Sequence, residues 1–81
     1  EINNTTLFSL FPNPAQSAIN VSVDKKLLGA SYVVYDHTGK TILKGAIFSE
    51  NSIIEIGDLA AGIYLFSLGE NLKQIFVVVK E

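Results

Sequence analysis

The side chains that could do acid–base or metal chemistry are few and scattered along the chain. His37 is the only histidine, and without a second histidine or any cysteine it lacks partners for metal ligation or base catalysis. The eight carboxylates have no spacing that strands would bring together, and no acidic loop cluster suits calcium. No serine lies in a Gly-x-Ser-x-Gly motif. The sequence therefore predicts no enzyme, metal site or cofactor site.

Composition points to one small domain with a core that uses most of its apolar residues. The 81 residues are 48% hydrophobic and 17% charged, which excludes disorder by charge excess. The net charge of −2, with six lysines and no arginine, argues against nucleic-acid binding. No apolar run approaches the roughly 20 residues that span a bilayer, so no membrane insertion is predicted.

The chain divides into a short polar linker and one domain. Residues 1–6 are a polar tether, and residues 7–81 form the domain. The first residue is Glu1 rather than methionine, so we expect a larger cargo protein attached on the N-terminal side.

Apolar residues alternate with polar ones almost throughout the domain, which is typical of β-strands. Asp36 and Gly39 frame a type I turn with a glycine bulge, so a hairpin is predicted there. Short strands at this spacing indicate an all-β, immunoglobulin-like antiparallel β-sandwich of about seven short strands. They are expected at residues 7–11, 19–23, 32–35, 41–47, 53–56, 63–68 and 73–80.

Three signatures stand out in order along this frame. Pro12, Asn13 and Pro14 stiffen the chain as it leaves the first strand. Gly62 permits a positive φ where the chain crosses between sheets, and Tyr64 is expected to bond an upstream backbone group as a tyrosine corner. The third signature is the last strand, which includes Val77, Val78, Val79 and Lys80.

The lysines around the last strand have two interpretations. Lys73 and Lys80 bracket a strongly β-forming run, and the favoured interpretation is that they block aggregation at a sheet edge. The alternative is that a partner adds a strand to this edge. A bare apolar edge also predicts edge-to-edge self-association of isolated domains.

Together, these signatures resemble the C-terminal sorting domains of proteins exported by the type IX secretion system of the Bacteroidota. The resemblance spans residues 10–80, nearly the whole chain. The residues that match the family's motifs are Pro12, Asn13, Pro14, Gly39, Gly62, Tyr64, Lys73, Val77, Val78, Val79 and Lys80.

The resemblance implies a secretion and sorting signal rather than an enzyme. It implies recognition in the periplasm by type IX shuttle and translocon components, and a secreted or cell-surface destination. It also implies that a surface sortase cleaves upstream of the sandwich, in or before residues 1–6.

The alternative function is an immunoglobulin-like or fibronectin-like accessory module that acts as a spacer, an adhesin or a glycan binder. Two or three exposed aromatic rings on one face would favour glycan binding. Tyr32 and Tyr35 are expected on opposite faces of their strand, while the positions of Phe8 and Phe48 stay open.

Overall fold

The computed structural model describes residues 7–80 and contains seven strands with one short 3-10 turn at Lys25–Leu27. Asp24 caps that turn, because its carboxylate accepts a hydrogen bond from the Lys26 amide. The predicted linker over residues 1–6 lies outside the described residues. The strands are β1 (Phe8–Phe11), β2 (Ala18–Val23), β3 (Ser31–Tyr35), β4 (Thr41–Ala46), β5 (Asn51–Glu55), β6 (Gly62–Leu68) and β7 (Leu72–Val78).

The strands form two antiparallel sheets, and this confirms the all-β sandwich. One sheet has the order β1-β2-β5 and the other has the order β4-β3-β6-β7. In the second sheet Tyr35 is opposite Leu65, and Leu65 is opposite Ile75, so β3, β6 and β7 are in continuous register. No helix within residues 7–80 is long and apolar enough to cross a membrane.

The core lies between the inner faces of the two sheets. Phe66 and Phe76 are fully buried on neighbouring strands of the four-stranded sheet, and Ile19 faces them from β2. Phe66 also packs against Phe8 and Tyr32, with ring centroids 5.9 and 5.4 Å apart. Phe8 and Tyr32 are thus assigned to the core.

The last strand is shorter than predicted, ending at Val78 rather than Lys80. The reason lies in the register, because Val78 is opposite Gly62, the first residue of β6. Beyond Val78 the antiparallel partner has ended, and the chain instead bonds to Ala15.

Candidate recognition site

The Pro-Asn-Pro segment, residues 12–14, lies along the outer edge of β7. The Asn13 amide accepts a hydrogen bond from the Val77 backbone N–H at 3.0 Å and donates one to the Ile75 carbonyl at 3.3 Å. One side chain thus reproduces the donor and acceptor that a neighbouring strand would offer. Asn13 therefore takes the place of a neighbouring strand at this edge.

Ala15 continues this pairing through its backbone. Its N–H donates to the Val77 carbonyl and its carbonyl accepts from the Val79 N–H, both at 2.8 Å, in a parallel bridge opposite Val78. Ala15 is fully buried, whereas Pro12, Asn13 and Pro14 are exposed. The prediction of a bare edge is thus wrong for residues 75–79, because Asn13 and Ala15 already bond their outward backbone groups.

The predicted tyrosine corner is present between β5 and β6, where the chain passes from one sheet to the other. The Tyr64 hydroxyl donates to the Ala60 carbonyl at 2.7 Å, and the side chain is 7% exposed. The Tyr64 ring also packs on Phe76 with centroids 5.6 Å apart. Gly62 has a φ of 158°, which is positive as predicted but close to extended.

The corner and the end of β7 are bonded to each other. Gly62 is opposite Val78 and Ile63 is opposite Val77. The Lys80 ammonium group donates to the Gly57 carbonyl at 2.8 Å, which ties the residues after β7 to the start of the corner. The three signatures, far apart in sequence, therefore meet at one end of the sandwich.

The predicted hairpin lies at this same end. Gly39 has a φ of 89°, in the left-handed region that favours glycine, and its N–H donates to the Asp36 carbonyl at 3.0 Å. The Asp36 carboxylate accepts from the Thr38 hydroxyl at 2.6 Å and from the Lys40 N–H at 3.0 Å. These bonds hold the pKa of Asp36 below its ordinary value.

All the predicted site residues except Lys73 gather at this end. Lys73 is opposite Ser67 near the start of β7, away from the Pro-Asn-Pro segment. Sequence reasoning missed the backbone pairing of Ala15 with β7 and the contact of the Gly57 carbonyl with Lys80. Ala15 directly follows Pro14, but nothing in its residue type indicates that its backbone would pair across the fold.

The acidic side chains and the exposed aromatic rings of the described residues lie apart from one another. Residues 7–80 contain no group of three or more histidine, cysteine or acidic side chains placed to hold a metal ion. Phe48 is 79% exposed and Phe11 is 47% exposed. Phe11 lies opposite Asn20 near the start of β2, whereas the loop carrying Phe48 bonds to Val23 at its end. These two rings therefore form no shared platform.

The motif residues of this β-sandwich gather at one end of it, as the bonds of Asn13, Gly62 and Lys80 show. The chain belongs to the family described as the secretion system C-terminal sorting domain, which matches residues 9–80. This confirms the resemblance to type IX sorting domains, and it makes the chain a sorting domain of a secreted or cell-surface protein.

One curated relative is a much longer protein that matches this chain over a small part of its length. Residues of this chain are 36% identical to β-agarase A of Zobellia galactanivorans over 72 residues. The match covers 88% of this chain but only 13% of the agarase. No solved structure matches the chain.

Proposed function

We propose that this domain directs an attached cargo protein across the outer membrane by being recognised, in its folded form, by type IX shuttle and translocon components. The observation that carries the proposal is the family match over residues 9–80, together with the convergence of the family's motif residues on one end of the sandwich. The domain itself is then a binding module without catalytic activity.

The contacts at this end support recognition of a folded surface. Asn13, Tyr64 and Lys80 each bond a backbone group that lies elsewhere in the chain. The end therefore depends on the complete fold and does not exist in a linear peptide. Since Pro12, Asn13 and Pro14 are exposed, a partner can contact them directly.

We further propose that a surface sortase cleaves the chain in or before residues 1–6 once the domain has crossed the outer membrane. The domain would then be the substrate of the sortase. The position of β1 supports this, because Phe8 begins the sandwich directly after that segment.

A reporter fusion tests the export proposal. A signal peptide and a fluorescent reporter are placed before the 81 residues in a type IX-competent cell, with the reporter alone as control. We expect the fusion on the surface or in the medium and the control in the periplasm. Reporter that stays in the periplasm with the domain attached would contradict the proposal. A strain without the translocon should also retain the fusion.

Two additions separate recognition, folding and cleavage. Deletion of residues 77–81 should abolish export, and circular dichroism of the truncated domain then shows whether the fold was lost as well. The mass of the released reporter should correspond to a C-terminus that lies in or before residues 1–6. Release with the whole domain still attached would contradict the sortase step alone.

A further inference from the structure

The outer face of the four-stranded sheet is apolar over its centre, which is unusual for a face turned to solvent. Ile63 and Ile75 are 56% and 58% exposed, although both belong to strands with a buried inner face. Half-buried neighbours surround them. The apolar patch consists of Val33, Tyr35, Ile63, Leu65, Ile75 and Val77.

The register shows that this apolar patch is continuous. Tyr35, Leu65 and Ile75 form one row across three strands, and Ile63 with Val77 forms the next. The hairpin residues His37 and Gly39 border a shallow depression at its end. Six apolar side chains on three adjacent strands make a contiguous surface of the kind that marks an interaction site.

The outer face of the other sheet differs. Its central strand β2 presents Asn20 and Ser22 outward, and β1 and β5 contribute Ser9 and Asn51 beside Ser22. Phe11 and Ile53 are exposed on this face, but they lie on either side of Asn20 in one row, so a polar side chain separates them. The apolar patch is therefore a property of one sheet, the sheet that contains β7, and not of the sandwich as a whole.

Positive charge borders the apolar patch. Lys44, Val33, Ser67 and Lys73 form one row across the sheet, with a lysine at each end. Asp36 lines the depression at the other end of the apolar patch, and its carboxylate accepts hydrogen bonds from Thr38 and Lys40. The face thus presents an apolar patch with two ammonium groups along one border, and that row of four residues contains no carboxylate.

We propose that the apolar patch is the docking surface for a protein of the export machinery that presents an apolar surface bordered by carboxylates. This rests on the proposed function and names the chemistry of the partner. A flat sheet face suits the packing of side chains from a second protein layer, and the lysines select acidic groups at its rim. The covered edge of β7 supports a face-on contact, because residues 75–79 already have backbone partners.

Matched isoleucine substitutions in the reporter fusion test this surface. Ile75→Thr changes the apolar patch, and Ile53→Thr changes a somewhat more exposed isoleucine on the other sheet, with β-branching kept in both. Ile75→Thr together with Ile63→Thr should reduce export about tenfold or more, the effect typical of interface hot spots. Ile53→Thr should export like the unmodified fusion. Equal export of all variants would overturn the proposal.

A second matched pair of substitutions tests whether the partner requires the lysines beside the apolar patch. Lys44→Glu reverses charge beside the apolar patch, whereas Lys25→Glu makes the same change in net charge in the 3-10 turn. We expect reduced export only for Lys44→Glu. An equal effect of both would show that net charge matters rather than the apolar patch.

Crosslinking with a photoreactive amino acid shows whether the partner at the apolar patch is a protein. Its result does not depend on how stable the threonine variants are. Placed at position 75 in exporting cells, the photoreactive amino acid should form an adduct with a protein, and at position 53 it should not. An adduct with lipid, or equal adducts at both positions, would overturn the proposal. If the unmodified fusion itself stays in the periplasm, the proposed function fails. If it is exported while every patch variant is exported equally, only the docking surface fails.

Discussion

Asn13 and Val77 are 64 residues apart in sequence, and the Asn13 side-chain oxygen accepts a hydrogen bond from the Val77 N–H at 3.0 Å. The same amide donates to the Ile75 carbonyl. A single polar side chain therefore closes part of a sheet edge that would otherwise be open to another chain.

Asn13→Ala should expose this edge locally. We expect faster hydrogen exchange at the Val77 amide and a loss of about 1–2 kcal/mol in the free energy of unfolding, since two hydrogen bonds are removed. Asn20→Ala is the control, because Asn20 donates to the Phe11 carbonyl and does not contact β7. Unchanged exchange at Val77 in Asn13→Ala would show that the amide contact contributes no protection.

Tyr64→Phe should destabilise the domain by about 1–3 kcal/mol, because the Ala60 carbonyl at the corner loses its partner. Denaturant unfolding measures this change. Tyr35→Phe is the control, since Tyr35 lies on the outer face of the same sheet, and it should change stability little. Equal effects of the two substitutions would mean that the corner bond adds nothing.

Gly45→Ala should destabilise the domain through overpacking. A Cβ atom at Gly45 would lie 2.8 Å from the hydroxyl oxygen and 2.9 Å from the ring carbons of Tyr32, its partner on β3. The expected cost is about 1–3 kcal/mol. In a Tyr32→Ala background the same change should cost much less, which a double-mutant cycle measures. Additive effects would exclude the clash as the cause.

Asp36 should give the domain a defined acid sensitivity. Hydrogen bonds from the Thr38 hydroxyl and the Lys40 N–H hold its pKa below the ordinary 3.8 in the folded hairpin. The unfolded chain then binds the proton more readily, so this contribution is present above pH 3.8 and is lost as pH falls through the lower folded-state pKa.

A carboxyl NMR titration should accordingly give a midpoint below 3.8 for Asp36. Asp36→Asn should be less stable than the unmodified domain at neutral pH, and the difference should shrink in strong acid. A titration midpoint at or above 3.8 would contradict the role assigned to Thr38 and Lys40.

The elements set by local pattern were predictable from sequence. Alternation of apolar and polar residues, with a β-branched and aromatic run at residues 32–35, located the seven strands, and Asp36 with Gly39 located the hairpin. The spacing of Gly62 and Tyr64 predicted the corner, which the Tyr64–Ala60 bond confirms. Each of these features depends on neighbours within a few residues.

Long-range pairing was not predictable in the same way. The bonds from Asn13 and Ala15 to β7 depend on how the sheets close, and no local pattern in the sequence encodes that closure. The apolar patch did leave a signal. Ile63 and Leu65 alternate with Tyr64 and Phe66, so β6 is apolar on both faces although only one of them is buried.

The position of β7 in the fold has a consequence for the timing of synthesis. Residues 75–80 provide the hydrogen-bond partners of three earlier groups, namely Asn13, the backbone of Ala15 and the Gly57 carbonyl. A nascent chain whose translation stops before β7 leaves these groups without their partners, however correctly its earlier strands have formed. Only a chain translated through Lys80 can form all of these contacts, so a chain that stops before β7 lacks the end of the sandwich on which the motif residues gather.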